Sequence, residues 1–422
     1  MSLLIQLRGF QKLTPIETAL QILFDNWEIP PLRTETVPIY EALNRVLAVD
    51  VIAEEDLPKF DRSAVDGYAV KAEDTFYASQ FKPKTLRLTE ADEIKDGEAK
   101  RVWTGNPLPR GANAVLMLEN TKRLDNSIEV WNPVTPGENV SKKGEDVAKG
   151  EVAVKARTRL KPHHLGLIAA LGIGKVKVFV KPKVAILATG SELVELAQKP
   201  GEGQIFEINR LVLSSMCREL QADPIDLGMV EDNVEEISNR IMLGLEKADL
   251  IITTGGTSVG APDLVPAAIK KLENPGIIVH GIAMRPAMPT ALAIVRNKSI
   301  IVLSGNPVAA MFGFEVFARP IILKLQGLDK EPRPIVTARL TRKISTALGR
   351  KTFVRVKVFQ RGDEFFAEPI SSRGSGVIST MVRANGYVIV PENREGLQEG
   401  EIVKVHLFDT FEAGGLNCSE NS

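Results

Sequence analysis

Cysteine is nearly missing from this chain, with Cys217 and Cys418 the only two in 422 residues. Two thiols cannot form a disulfide framework or supply a cysteine-based zinc site. Histidine is almost as scarce. Of four histidines, His163 and His164 are adjacent, and the pair reads as the surface start of a helix rather than as metal ligands. An excess of one charge is absent too, because Lys plus Arg and Asp plus Glu are both 53. Nothing global therefore draws the chain to nucleic acid or to an acidic membrane surface. No uncharged apolar run reaches membrane-spanning length, and the most apolar long stretch, Leu165 to Val180, is broken by Lys175 and Lys177. The amino end lacks the basic-then-apolar pattern of a secretion signal. These absences predict a cytoplasmic protein without nucleic-acid or membrane partners.

Hydrophobic and charged fractions of 44% and 25% are those of an ordinary globular protein, and the length predicts about three domains. The chain changes style along its length. Thr14 reads as the N-cap of a helix over 14–27, with Pro15 at its first position and an apolar stripe of Ile16, Leu20, Leu23 and Phe24. A second helix is expected over Ile39 to Leu47, before a strand at Ala48 to Ala53. Residues 57–70 read as an exposed loop entering a strand. Short alternating runs at 85–88, 99–103, 114–117 and 127–131, separated by Gly/Pro turns, predict a small β domain. A helix follows at about 161–171. From Pro182 onward strands and helices alternate, which predicts right-handed βαβ units and a mostly parallel sheet. An apolar helix from Pro307 to Leu325 closes that region. From about 332 alternating β runs return, separated by Gly-rich turns, as in a small barrel. The lysines at 142, 143, 175, 177, 181 and 183 read as solvated strand ends.

The stretch around which the rest is arranged is Asp249 to Asp263, D-L-I-I-T-T-G-G-T-S-V-G-A-P-D. An apolar strand leads into a glycine-rich turn, the place where open α/β folds bind ligands. Polar turns also follow the strands ending near 188, 230 and 303, and in a parallel sheet all four share one edge. Gly255, Gly256, Thr257, Ser258 and Ser304 offer backbone N–H groups and hydroxyls to a phosphate or another oxyanion, and Arg285 is the cation in that set of loops. Asp66, Asp146, Glu192, Asp232 and Asp263 follow strands or sit in Gly-rich loops. Several carboxylates in one cleft suit Mg²⁺, which takes oxygen ligands and bridges to substrate phosphate. Each acid could equally cap the next helix. The residues alone point to an α/β protein with two β appendages that binds a phosphorylated or oxyanionic small molecule with Mg²⁺.

The motifs F-D-R-S-A-V-D-G-Y-A-V (60–70), T-G-N-P-L-P (104–109), G-E-D-V (144–147), A-T-G-S-E-L (188–193), G-Q-I-F-E-I-N (203–209), T-G-G-T-S-V-G-A-P-D (254–263) and G-N-P-V (305–308) stand in this order. In combination they resemble the MoeA family, the molybdopterin molybdenumtransferases related to the E domain of gephyrin, over about residues 10 to 410. The resemblance implies a central doubly wound α/β domain like that of MogA and MoaB at 179–328. It also implies an inserted β domain at 55–140, a linking domain from 1–54 and 141–178, a C-terminal β-barrel at 329–409 and a tail at 410–422. It implies a homodimer whose cleft lies between the α/β domain of one subunit and the insertion of its partner. The substrates implied are adenylylated molybdopterin and molybdate or tungstate, with metal insertion and AMP release assisted by Mg²⁺. A MogA/MoaB-type adenylyltransferase is the implied protein partner. By position, the catalytic set falls on Asp66, Thr104, Asp146, Glu192, Asp232 and Asp263, with Asp66, Glu192 and Asp263 as metal ligands. Substrate binding falls on Gly255, Gly256, Thr257, Ser258, Arg285, Pro286, Gly305, Asn306 and Pro307. Arg355 and Ser375 of the barrel fall where the family binds the oxyanion.

Two departures stand out. The family loop K-P-G-K-P is here Arg285-Pro286-Ala287-Met288-Pro289, so its second lysine has become Met288, and the family serine after G-N-P-V is Ala309. A lost cation and a lost hydroxyl weaken a tetrahedral-oxyanion pocket, because charge-assisted bonds are the strong ones. A pterin-binding scaffold without full activity, and an adenylyltransferase, therefore remain alternative readings.

Overall fold

The computed structural model describes residues 13–256, 264–272, 275–370 and 374–411. The chain divides into two units, one formed by 34–178 and the other by the segments before and after it.

The larger unit is built on a six-stranded sheet in the order Asp223–Val230, Lys183–Thr189, Leu250–Thr254, Lys298–Leu303, Ala291–Val295, Pro275–His280. The first four strands are mutually parallel and the next two pair antiparallel. The four inner strands are mostly apolar on both faces, and their residues alternate between two cores. Val184, Ile186, Leu250, Ile252, Ile301 and Leu303 face one core, which also holds Leu23, Leu213, Cys217 and Phe317. Ala185, Leu187, Ile251, Ile300 and Val302 face the other, filled by Ile237, Ile241 and Leu245 of helix Val234–Lys247 and by Val265 and Ile269. Helices on both faces make the doubly wound arrangement. Truncating one of these buried leucines or isoleucines to alanine costs about 2–5 kcal/mol.

The helix expected up to Leu325 is interrupted. Pro307–Gly313 and Arg319–Leu325 are α-helical, and Phe314–Ala318 between them is a π turn. Pro320 lacks an N–H and its ring crowds the carbonyl four residues earlier, so the wider turn accommodates it. At the amino end the helix is Ile16–Asn26 and Thr14 does not cap it. Thr14 instead bridges to the sheet region, donating to the Gly281 carbonyl at 3.0 Å and accepting from Ala283 N–H at 2.8 Å.

The barrel is a closed ring of five strands. Lys351–Arg361 pairs with Glu364–Pro369, then Ile335–Leu340, Ile402–Leu407 and Gly386–Val390 follow, and the last returns to Lys351–Arg361. Met284–Arg285, from the α/β portion, adds in parallel to the edge of Lys351–Arg361. This pairing carries the Arg285–Pro289 loop to the barrel wall.

In the unit 34–178 a six-stranded sheet runs Ala114–Met117, Gly67–Val70, Glu98–Val102, Lys84–Leu88, Ser127–Val130, Thr121–Arg123. The strand that the loop from 57 was expected to enter is Gly67–Val70, a fully buried inner strand. A Cβ on Gly67 would stand 1.9 Å from the Leu116 carbonyl oxygen, so glycine is needed for the close pairing. A second core joins Leu47, Val51, Val154, Leu160 and Val178 to Ile168 of helix Pro162–Ala170. Here the expected helix over Ile39 to Leu47 is not formed, and a single 3₁₀ turn at Ile39–Glu41 takes its place. Asn44 is left-handed at φ 62°, and Asn44 and Leu47 donate to the carbonyls of Leu160 and Thr158. Tertiary strand-like pairing has overridden local helix preference. Lys142 and Lys143 are exposed at the end of the strand Val140–Ser141, as expected, and their ammonium groups lie 3.2 Å from Asp61 and 3.3 Å from Asp56. No helix among the described residues is long and apolar enough to cross a membrane.

Candidate functional site

The four parallel strands end together, and their following turns touch. Gly190 N–H donates to the Val230 carbonyl at 3.2 Å, and Asp232 N–H to the Ser191 hydroxyl at 3.5 Å. Gly255 has φ +93°, and a Cβ there would lie 2.1 Å from the Thr189 carbonyl oxygen. Only glycine lets these two strand ends approach so closely. A Cβ added to Gly305 would stand 3.6 Å from the Gly255 Cα, so the two turns pass close to one another. Asn209, at the start of the helix Asn209–Glu219, ties two of the turns together. Its Nδ2 donates to Thr254 Oγ1 at 2.9 Å and to the Gly305 carbonyl at 2.7 Å. Its Oδ1 and the Thr189 hydroxyl are buried without a partner, which marks this edge as one prepared for polar company. Asn209 drew attention in the sequence only as the end of a motif, because its role depends on contacts 45 and 96 residues away.

Glu192 and Asp232 lie on the adjoining loops and are exposed. The Glu192 carboxylate turns back on its own loop, 2.7 Å from where a Gly190 Cβ would stand. The loop behind Glu192 is braced by buried Arg210, which holds Glu207 at 2.9 Å, Asp226 at 2.8 Å and Glu195 at 2.6 Å. Among the described residues no group of three or more His, Cys, Asp or Glu converges to hold a metal ion. An edge with one or two carboxylates and backbone groups fits a hard ion that keeps its waters and shares oxygens with a substrate phosphate. Thr257, Ser258 and Asp263 lie outside the described residues.

Beside this edge is a cavity of about 510 Å³ between the Arg285–Pro289 loop and the barrel. Arg285, Pro286, Met288, Ser304, Asn306, Ala309, Arg355 and Ser375 all line it. The structure thus brings together five of the expected substrate-binding residues from four separate stretches of sequence, while Gly255, Gly256, Gly305 and Pro307 belong to the strand-end turns next to it. Ser375 is anchored to that edge, its carbonyl accepting from Val308 N–H at 3.2 Å. Arg355 is only 4% exposed, and its Nε has no acceptor. Burial, with the like charge of Arg285 added, lowers its pKa from the ordinary arginine value. A buried guanidinium lacking an acceptor is a strong invitation to an anion.

Arg285, the cation of the sheet-edge loops, is joined in this cavity by cations from the barrel. Lys343 and Arg350 reach the same cavity from the barrel, and among the described residues no Asp or Glu lines it. Ala309 presents a methyl group where a hydroxyl was expected, and it is 2% exposed.

The remaining expected residues lie in the other unit. Asp66 opens the inner strand Gly67–Val70, and Thr104 follows the neighbouring strand Glu98–Val102. Thr104 donates to Asp66 Oδ1 from its backbone N–H at 2.8 Å and from its hydroxyl at 2.7 Å. These bonds, with Arg101 nearby, hold the Asp66 carboxyl below the usual aspartate value. Arg101 lies 4.4 Å over the ring of half-exposed Trp103, an aromatic surface next to Thr104 that the sequence reading passed over. Asp146 is exposed on a loop pinned to Leu57, whose carbonyl accepts its N–H at 3.0 Å. His164 Nδ1 accepts the Lys161 N–H at 3.0 Å and so serves the start of its helix.

Three family models match the chain in succession. They are the MoeA N-terminal region (domain I and II) at 14–172, a probable molybdopterin binding domain at 185–324 and the MoeA C-terminal region (domain IV) at 337–408. A molybdopterin biosynthesis protein of Methanocaldococcus jannaschii is 38% identical over 408 residues, covering 94% of this chain and 98% of that one. The molybdopterin molybdenumtransferase of Haemophilus influenzae is 34% identical over 394 residues, covering 90% of this chain and 95% of its own. The crystal structure of a molybdopterin biosynthesis MoeA protein from Pyrococcus horikoshii superposes with a TM-score of 0.81 at 36% identity, over 94% of this chain and 100% of that one. The chain belongs to the MoeA family.

Proposed function

We propose that this protein inserts molybdenum, or tungsten in its place, from the oxyanion into adenylylated molybdopterin and releases AMP. It is a metal-insertion enzyme of molybdenum cofactor biosynthesis. The observation that carries the finer reading is the cavity lined by Arg285, Arg350, Arg355 and Lys343, with no carboxylate among its described lining residues, next to the glycine turns of the sheet edge. A tetrahedral dianion satisfies the free donors of Arg355, and Arg285 and Ser375 supply further bonds from the cavity wall. The substrate phosphate sits on the Gly255–Gly256 and Ser304–Asn306 turns, so the metal source and the pterin meet at one edge. Cleavage places water at phosphorus and expels AMP. Glu192 and Asp232 are the described carboxylates at that edge able to orient this water and accept its proton.

When bound, Mg²⁺ supplies charge neutralisation at the substrate phosphate. Glu192 and Asp232 are the described residues that would hold it, with Asp263 joining them by resemblance. Asp66, Thr104 and Asp146 are assigned to the same reaction by resemblance alone, as are the homodimer and delivery of the substrate by an adenylyltransferase of MogA/MoaB type.

The test is a turnover assay with purified protein, Mg²⁺ and adenylylated molybdopterin, run in parallel with molybdate and tungstate. AMP release coupled to active cofactor is expected with at least one oxyanion, and Glu192→Gln is expected to slow it at least tenfold. Absence of AMP release with both oxyanions would overturn the reading. ATP consumption without any metal requirement would favour the adenylyltransferase instead.

A further inference from the structure

The cavity carries more positive charge than the sheet-edge loops supply. Arg285 comes from the loop, whereas Lys343, Arg350 and Arg355 come from the barrel. Arg350 is the one placed against the altered position of the loop. Its Nη1 donates to the thioether sulfur of Met288 at 3.5 Å. Both side chains are half-buried and both line the cavity.

The backbone around Arg350 is fixed from both sides. Gly349 N–H donates to the Glu392 carbonyl at 2.7 Å, and Lys351 N–H donates to the Ala283 carbonyl at 3.0 Å. Lys351 is also in register with Met284 at the edge of the barrel. Main-chain pairing therefore fixes the Cα of Arg350 beside the loop, within reach of position 288. Its partner there is weak. A thioether sulfur is a poor acceptor, and an arginine has five donors to place. An oxyanion in the cavity offers charged acceptors in place of sulfur, and the exchange favours the anion.

We propose that Arg350 is a direct ligand of the oxyanion and supplies, from the barrel, the cation that a lysine at position 288 would otherwise supply from the loop. Met288 holds the guanidinium in the empty site and releases it when the anion enters. The consequence is chemical as well as electrostatic. A planar fork replaces a point charge, and it favours an anion able to accept two parallel bonds. With Ala309 lacking a hydroxyl, binding of the tetrahedral dianion rests chiefly on the guanidinium groups, with Ser375 and Lys343 beside them. This inference rests on the cavity being the oxyanion site.

Titration calorimetry of the full-length protein with molybdate and with tungstate tests it. The variants are Arg350→Gln, Arg350→Lys, Arg355→Gln, and Arg350→Gln combined with Met288→Lys. Arg350→Gln is expected to weaken both anions about tenfold or more, since a charge-assisted fork is lost, and Arg350→Lys is expected to fall between it and the unaltered chain. Met288→Lys added to Arg350→Gln is expected to restore most of the affinity, which a purely structural role for Arg350 would not allow. Melting temperature without anion checks that Arg350→Gln still folds. Unchanged affinity in Arg350→Gln, with loss in Arg355→Gln, overturns the role of Arg350 and leaves the cavity reading standing. Failure of Met288→Lys to restore affinity overturns the exchange of cations. If the unaltered chain binds neither anion, the cavity reading itself falls.

Discussion

Thr104 closes on Asp66 with two bonds to a single carboxylate oxygen, one from its backbone N–H at 2.8 Å and one from its hydroxyl at 2.7 Å. The two residues are 38 apart in sequence and meet because their strands are neighbours in the sheet. Both donors favour the charged form, the backbone one most, and so the Asp66 carboxyl is held below its ordinary value of 3.8. A depressed carboxyl pKa means that the contact is fully present above the unfolded value. It is lost only as pH falls through the lower folded value.

Thr104→Val removes the hydroxyl donor and keeps the backbone one. The Asp66 pKa is expected to rise toward 3.8 without reaching it, as read by carbon-detected carboxyl titration in NMR. An unmoved titration would show that the hydroxyl does not hold the carboxylate in solution.

Gly255→Ala attacks the central turn. The residue sits at φ +93°, and the new Cβ would lie 2.1 Å from the Thr189 carbonyl oxygen. The left-handed backbone alone costs roughly 1–2 kcal/mol for an L-residue, and the clash must push the two strand ends apart as well. A lower denaturation midpoint is expected, together with loss of AMP release. A variant matching the parent in both measurements would remove this turn from the site.

Asn209→Ala takes away the donors that join the Thr254 and Gly305 turns and leaves the Gly305 carbonyl without this bond. Loss of such bonds costs about 1–3 kcal/mol. Because Asn209 positions loops, turnover is expected to fall by more than the stability change accounts for at a temperature where the variant is fully folded. Equal turnover at that temperature would reduce Asn209 to a residue of the core.

How much of this was legible in the sequence depended on how local the determinant was. The central sheet was readable because runs such as Val184–Ala188 within Lys183–Thr189 and Leu250–Ile252 within Leu250–Thr254 are apolar and lead into polar turns, a signature carried entirely within each segment. The barrel strands were readable from their alternation. Segments decided by distant partners were not. Residues 39–47 have a helical pattern, yet pairing with 158–160 draws them out of it. That a strand follows the 57–66 loop was legible, but the reason for its Gly67, the Leu116 carbonyl, lies far along the chain. At the site, Arg285, Asn306, Arg355 and Ser375 could be placed from motifs, whereas Lys343 and Arg350 carry no motif. Their signal was indirect. The change to methionine at 288 implied a missing cation, and only the pairing of Met284–Arg285 with the barrel shows where a replacement stands.

The loop bearing Met288 also holds a strained residue. Ala287 lies at φ +76° and is 3% exposed, with its carbonyl accepting the Thr290 hydroxyl at 2.8 Å. The family pattern K-P-G-K-P has glycine here, which occupies that region without penalty. For alanine the conformation costs about 1–2 kcal/mol, partly offset because alanine has fewer unfolded states to lose. Ala287→Gly is therefore expected to be neutral or modestly stabilising, whereas most buried alanine-to-glycine changes are destabilising. It is also expected to loosen the loop that presents Arg285 and Met288 to the cavity, weakening molybdate or tungstate binding without lowering the denaturation midpoint. A fall in that midpoint of the size seen for ordinary core changes would show that Ala287 is not strained in solution. Unchanged anion affinity would show that the stiffness of the loop has no part in holding the oxyanion.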